Sequence, residues 1–561
     1  MLRREMNLAW TLRGDILVVG AGLAGLRAAR DCAAAGLEVI LLSKGDLCSG
    51  ASFYPLADGL GSQLPSNDAD KALYLSELLE AGAGCGDPEL GALLIENIWQ
   101  ETRRLHEIGI EYGFCSGRAA CFARRERTLS FWSDWPKIRR ACTNIFSEIP
   151  NLRLLAHCDL LRLNAQNGRV AGALVCDRSG CVGYVATGAV ILATGGYCGL
   201  YQHRLNPADV CGIGHSAALD VGADAVNLEF LQFVPGLTDP KYALLFSETS
   251  LLHCNGVFDS AGNPALAEYL PPSISVEDCL KARSAHAPFT SADISKWFDL
   301  AILDFVRKTG SERGLTLTFD PAFNEDTNPY MTMTREFYRA HGIDLPTQPV
   351  SILPFAHCAN GGIRIDRDGA TRVPGLYAAG EVAGGVHGAD RLGGVATAAC
   401  LVFGARAAQA VIRANSPIPP SDGERALREM LEWMKGDSAA APGEILDFLA
   451  REMYAQAGIL REEEGLEALL EKIVSLRASY NAAAFMRAGE VKLAAKAFHA
   501  LRTCEAAVRA MLLRRESRGG HYRADFPACD DRLLGKRVHV QEANGTLSAY
   551  WESLRPCPAP A

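Results

Sequence analysis

The segment Asp15-Ile-Leu-Val-Val-Gly-Ala-Gly-Leu-Ala-Gly25 constrains this chain more than any other. An apolar strand runs directly into Gly20, Gly22 and Gly25; a helical pattern follows through Leu26, Ala29 and Ala33 to a stop at Gly36, and a second apolar strand runs from Glu38 to Ser43. Strand, glycines, helix and strand within about thirty residues form a dinucleotide-binding unit. Gly20 makes the tight turn, Gly22 lets backbone approach a pyrophosphate, and Gly25 lets the helix pack closely on the strand. The neighbouring Ala21, Leu23 and Ala24 complete the cradle, whose helix N-terminus offers free N–H groups to phosphate. The second strand ends in Leu42-Ser43-Lys44 instead of an acid, so Ser43 or a backbone group has to serve the ribose. FAD and NAD both fit this segment taken alone.

Glycine is what extends the reading along the chain. There are 54 in 561 residues, about one in ten against a usual ~7%, and they gather beside apolar runs. Ala189-Val-Ile-Leu-Ala193-Thr194-Gly195-Gly196 is a strand ending in small residues, as expected of chain that passes beneath a cofactor. Gly375 to Gly388 repeats the design with a single acid, Glu381 after Gly380, and Ala389-Asp-Arg-Leu-Gly-Gly394 opens an apolar helix from about Ala396 to Ala414. The N-terminus of that helix can stabilise negative charge on a reduced isoalloxazine.

Other classes are excluded by simpler counts. Lys plus Arg is 56 and Asp plus Glu 65, a net charge of −9 with no long basic block, so no nucleic-acid partner is expected. The start, Met1 to Gly14, has no apolar stretch with a small-residue cleavage site, and the run Leu392 to Ala405 between Arg391 and Arg406 is short for a bilayer. A cytoplasmic protein, not integral to a membrane, is expected. The 18 cysteines include no CxxC pair, which points to reduced thiols and to neither a metal site nor an iron–sulfur cradle.

Taken in order, VVGAGLAG, ILATGG, Asn206 to Phe233, AHCANGGI (Ala356 to Ile363), GLYAAGEVAGGVHGADRLGG and RRESRGGHYRADFP (Arg514 to Pro527) resemble the flavoprotein subunits of the succinate dehydrogenase and fumarate reductase family, which includes L-aspartate oxidase. The resemblance implies an α/β fold: a Rossmann-like FAD-binding domain (1–234 and 350–414) interrupted by an α+β capping domain (235–349), then a helical domain (424–518) and a small tail (519–561), with a hairpin about Asn544-Gly545. It implies FAD, with Glu381 on sugar hydroxyls and Gly394, Ala396 and Thr397 near the pyrimidine edge. Since the chain carries no cluster motif, any electron wire has to come from a partner carrying iron–sulfur clusters or linked to quinone. The histidine that binds FAD covalently in some members is replaced by Phe53, so the FAD is expected to be non-covalent.

On the substrate side, the resemblance assigns carboxylate binding to His357 and Arg391, whose planar fork pairs bidentately with a carboxylate. Three family positions depart. Gln232-Phe-Val-Pro-Gly236 has Val234 for a histidine, Ser247 to Gly256 keeps Ser247 and Glu248 but lacks the arginines, and Ala292 replaces the proton-delivering arginine. Lys296, one helical turn beyond Ala292, is the candidate replacement donor. The reaction expected is hydride exchange between flavin and a small organic acid other than succinate or fumarate. The alternatives are an L-aspartate oxidase-like amino-acid oxidase and a flavin-bearing electron-transfer subunit.

Overall fold

The computed structural model describes residues 6–116, 119–438 and 440–554. Residues 1–5 at the start of the chain, and 555–561 of the tail with Cys557, lie outside the described residues. The first sheet is parallel at its centre, in the order Leu152–Leu155, Val39–Leu42, Trp10–Val19, Val182–Leu192. Ile16 to Val19, Val39 to Leu42 and Val190 to Leu192 are buried on both faces, which explains their unbroken apolar runs. The strand Val182–Leu192 serves two neighbours. Both lie on the edge away from Trp10–Val19: its first half pairs antiparallel with Arg169–Cys176, and its last three residues pair parallel with Leu376–Ala378, a segment that returns after the cap. Val19 pairs with both Leu42 and Leu192, so these strands end level, and Gly20, Ser43 and Ala193 emerge together at one carboxyl edge. That edge is where an open α/β sheet binds its ligand.

The second sheet is antiparallel, ordered Leu244–Leu245, Leu231–Asp239, Val350–Ala359, Leu315–Phe319, Cys254–Phe258. With the helices Lys296–Thr309 and Pro329–Ala340 it encloses a separate apolar cluster that includes Phe246, Phe298, Phe319 and Phe355. Leu231–Asp239 and Val350–Ala359 carry the chain into and out of this unit, and we propose 235–349 as the cap on that basis. The helices Gly423–Trp433, Pro442–Gln456, Glu463–Ser479 and Val491–Leu513 share the main apolar cluster with the first sheet and do not close a core of their own. A hairpin of Lys536–Ala543 and Thr546–Ser553 closes the described chain, with Asn544 and Gly545 both at positive φ, as a two-residue hairpin turn demands.

The apolar helix is Val395–Ala414, 20 residues, and among the described residues it is the one helix long and apolar enough to cross a membrane. The helix thus runs beyond the span Leu392 to Ala405 that reads as short for a bilayer in the sequence. What occupies the apolar surface is the protein itself: Ala398, Leu401, Val402, Ala405 and Ala408 are buried in the protein interior, and Gly404 abuts the helix Leu23–Ala34 at Ala24 and Arg27.

Candidate active site

An elongated cavity of about 320 Å³ opens at the level strand ends, in the size range of cofactor and ligand sites. Two helix N-termini meet it, Gly22-Leu23-Ala24 of the helix Leu23–Ala34 and Gly394, Ala396 and Thr397 of the helix Val395–Ala414. All the expected cofactor positions line it except Gly25 and Gly196. Those two act from behind. A Cβ on Gly25 would stand 1.8 Å from the Gly20 carbonyl oxygen, so its hydrogen permits the helix to lie against the turn. A Cβ on Gly196 would collide with the Glu381 carboxylate, and the Gly196 N–H helps to hold that carboxylate.

Glu381 accepts a 2.9 Å hydrogen bond from the Ala359 N–H. Burial raises its pKa and the backbone donors oppose the rise. Ser43 is buried with its hydroxyl donated to the Asp46 carbonyl at 3.2 Å, which leaves it as an acceptor for a sugar. Lys44 donates to the Asp209 carbonyl at 3.2 Å and lies 3.5 Å from Asp159. The Thr194 hydroxyl is buried without a partner.

At the other end stand His357, His387 and Arg391. Gln232 pairs with Cys358 and Phe233 with Ala356, so His357 is the extra residue of a β-bulge. A bulge re-aims a side chain out of the ladder. The Nδ1 atoms of His357 and His387 are buried without partners. Burial, and then the Arg391 charge, lower both histidines to about 3, so both are neutral imidazoles at physiological pH. Among the described residues no carboxylate pairs with Arg391; the neighbouring Asp390 instead accepts a 2.6 Å hydrogen bond from Thr290 Oγ1. Burial pushes the Asp390 carboxyl up to about 7, against that bond.

An FAD binding domain model matches residues 15–397, and a fumarate reductase flavoprotein C-terminal model matches 447–555. L-aspartate oxidase of Caulobacter vibrioides is 31% identical over 542 residues, 94% of this chain and 96% of the relative. A second L-aspartate oxidase, of Streptomyces coelicolor, is 29% identical over 95% of this chain and 92% of its own. The FrdA chain of E. coli quinol fumarate reductase superposes with a TM-score of 0.78 over 98% of both chains at 22% identity. The chain belongs to the succinate dehydrogenase and fumarate reductase flavoprotein family. It is an FAD-dependent oxidoreductase, and its fold is the α/β arrangement with a C-terminal helical part that the motifs implied.

The cavity of this flavoprotein suits FAD: a glycine cradle where Cβ atoms would collide, two helix N-termini, a buried acid in the wall and an orphaned threonine hydroxyl. Phe53 is buried against Trp135, ring centroids 6.3 Å apart, and is absent from the cavity wall.

Lys296 is a correction. It does not line the cavity; its ammonium donates to the Ser291 carbonyl at 3.2 Å. Nor do Ala292 and Lys296 share a helix face. The Asp293 carboxylate accepts the Ser295 N–H, a local turn that competes with helix, and the helix begins at Lys296. Ala292 is exposed. Val234 is buried in the cap's apolar cluster opposite Phe355, as is Leu251 of the stretch that lacks arginines.

Sequence reasoning missed several residues. His387 stands inside the motif that carries Glu381 and Arg391, yet nothing in the motif gave it a role. Cys358 and Cys400 line the cavity as protonated thiols, burial lifting both. The motif Arg514 to Pro527 also had no role. In the structure Arg514 and Arg518 share Glu516, at 2.6 and 2.8 Å, and Gly519 and Gly520 lie flat against Ala389 and Leu231, closer than any Cβ permits. The tail thus supports the loop that presents Arg391.

Proposed function

We propose that this flavoprotein exchanges a hydride equivalent between FAD and an organic acid gripped by one carboxylate, with an apolar or neutral group at the far end. The observation that carries the reading is the convergence of Arg391 with two neutral imidazoles whose Nδ1 atoms have no partner. Most buried polar atoms in a folded protein are paired, and two unpaired imidazole nitrogens beside one guanidinium in a cavity are explained by a ligand or water that satisfies them. The bulge aims His357, the turn before the helix Val395–Ala414 presents Arg391, and the imidazoles hydrogen-bond to a carboxylate without adding charge. FAD, when bound, supplies the two-electron chemistry. On the cap side Val234 and Leu251 are buried in the cap's own apolar cluster and Ala292 is exposed, so these positions supply neither a second carboxylate ligand nor a proton, which supports a substrate unlike a four-carbon dicarboxylate.

The FAD is held without a covalent bond in this reading, and the free, mostly buried thiols among the described residues support a cytoplasmic setting. A second reading, an amino-acid oxidase, is favoured by the 31% identity to an L-aspartate oxidase. The E. coli neighbour is part of a quinol fumarate reductase, and by extension an iron–sulfur or quinone-linked partner would carry electrons to or from this chain.

The test is anaerobic reduction of the FAD-loaded enzyme, followed by a screen of crotonate-type monocarboxylates, fumarate, oxygen and quinones for reoxidation, with L-aspartate tried as reductant of the oxidised form. Monocarboxylates are expected to reoxidise it. Arg391→Met should weaken their binding by about 3–5 kcal/mol, since a carboxylate would be buried unpaired. Efficient turnover of fumarate or L-aspartate would overturn the reading.

A further inference from the structure

Gln232 is fully buried on the strand Leu231–Asp239, between the apolar Leu231 and Phe233. A buried amide is costly unless its groups are bonded, and both ends of this one turn to a single residue. Its Oε1 accepts from Arg391 Nε at 2.9 Å, and its Nε2 donates to the Arg391 carbonyl at 3.5 Å. The orientation of the amide is fixed by that pair, because a flipped amide would set two donors against each other. The same strand position faces the bulge that expels His357, so one glutamine touches the side chain and backbone of Arg391 and the register that aims its neighbour.

A guanidinium offers a carboxylate two bidentate edges. One is side-on, through Nε and one terminal nitrogen; the other is end-on, through both terminal nitrogens. With Nε already given to Gln232, only the end-on fork remains. We propose that Gln232 is a positioning residue that restricts Arg391 to end-on docking, and so sets the direction in which the substrate chain leaves its carboxylate. The inference rests on the reading that Arg391 grips a carboxylate. A neutral acceptor suits the task, because it orients the guanidinium without cancelling its charge. A glutamate at this place would form an ion pair with Arg391 and compete with the ligand.

The experiment uses the FAD-loaded enzyme with crotonate as probe, titrated through the visible spectrum of the oxidised flavin. Gln232→Met removes the acceptor at similar length and should weaken crotonate roughly 10- to 100-fold, the loss of one charge-assisted hydrogen bond, with FAD content and thermal midpoint unchanged. Gln232→Glu should bind crotonate poorly at neutral pH and regain affinity as the pH falls through the titration of the new carboxyl. A merely structural glutamine would not give that pH profile. Should Gln232→Met lose FAD, the near-isosteric Gln232→Glu carries the test. Wild-type affinity in Gln232→Met, or a Gln232→Glu pH profile like that of the wild type, overturns the inference. No crotonate binding by the wild type, unchanged in Arg391→Met, overturns the carboxylate reading itself and the inference with it.

Discussion

Gly25→Ala tests the nucleotide cradle most sharply. The added Cβ would lie 1.8 Å from the Gly20 carbonyl oxygen and 3.3 Å from the Ala193 methyl. Cβ contacts below 3.0 Å are essentially never found, so the helix must retreat from the turn by at least about 1.2 Å. Neither neighbour is the end of a flexible side chain, and the strain falls on the loop that meets the pyrophosphate. Overpacking of this kind costs about 1–3 kcal/mol, and backbone against backbone belongs at the upper end. If about 3 kcal/mol is expressed in cofactor binding, the FAD affinity falls roughly 150-fold. Gly36→Ala is the control. Gly36 has φ +86° and nothing within 4 Å of its virtual Cβ, so it should lose about 1–2 kcal/mol of stability through backbone conformation alone and keep its FAD affinity. The assay is titration of each apoprotein with FAD, followed by flavin fluorescence. An FAD affinity in Gly25→Ala within threefold of the wild type would refute the reasoning.

Asp390 makes stability depend on pH. The folded carboxyl keeps its proton to about pH 7 whereas the unfolded one loses it near 3.8; the folded state therefore binds more protons between these values, and stability falls as pH rises through them, by up to about 4 kcal/mol. Asp390→Asn keeps an acceptor for Thr290 and should flatten that slope in urea midpoints between pH 4 and 8; an unchanged slope rejects the assignment. Acid precipitation should leave all flavin in the supernatant, since Phe53 is turned toward Trp135; colour retained on the polypeptide would contradict non-covalent binding. Lys296→Met should leave single-turnover reoxidation of the flavin unchanged, because its ammonium ends on the Ser291 carbonyl, and a large loss of rate would restore Lys296 as a donor.

What was legible in the sequence was local. Gly20, Gly22 and Gly25 announce a turn whose geometry is set within a few residues, and the small-residue strand ends at Ala193 to Gly196 and Ala379 to Glu381 announce backbone beneath a cofactor. Gln232 and Arg391 lie 159 positions apart. Nothing in either segment states that an amide on one will meet Nε on the other; that pairing exists only after two strands and a returning loop converge. His357 could be named from its motif, yet the bulge that aims it depends on the register of a strand more than a hundred residues earlier. Lys296 departs from expectation for a local reason: placing it one helical turn beyond Ala292 assumes a helix through both, while the Asp293 side chain accepts the Ser295 N–H and the helix starts only at Lys296.

The placing of Gly519 and Gly520 beneath Ala389 has a consequence in time. During synthesis the nucleotide cradle is complete once Glu381 and the start of the helix Val395–Ala414 have joined it, and a nascent chain of that length already owns the means to hold FAD. The support for the Arg391 loop emerges some 130 residues later, and at roughly 5–20 residues per second that is an interval of many seconds. A chain that stalls or is cut in between would carry cofactor without a firm grip on an acid. On this reading a firm hold on the acid waits until the segment around Gly519 and Gly520 has folded back.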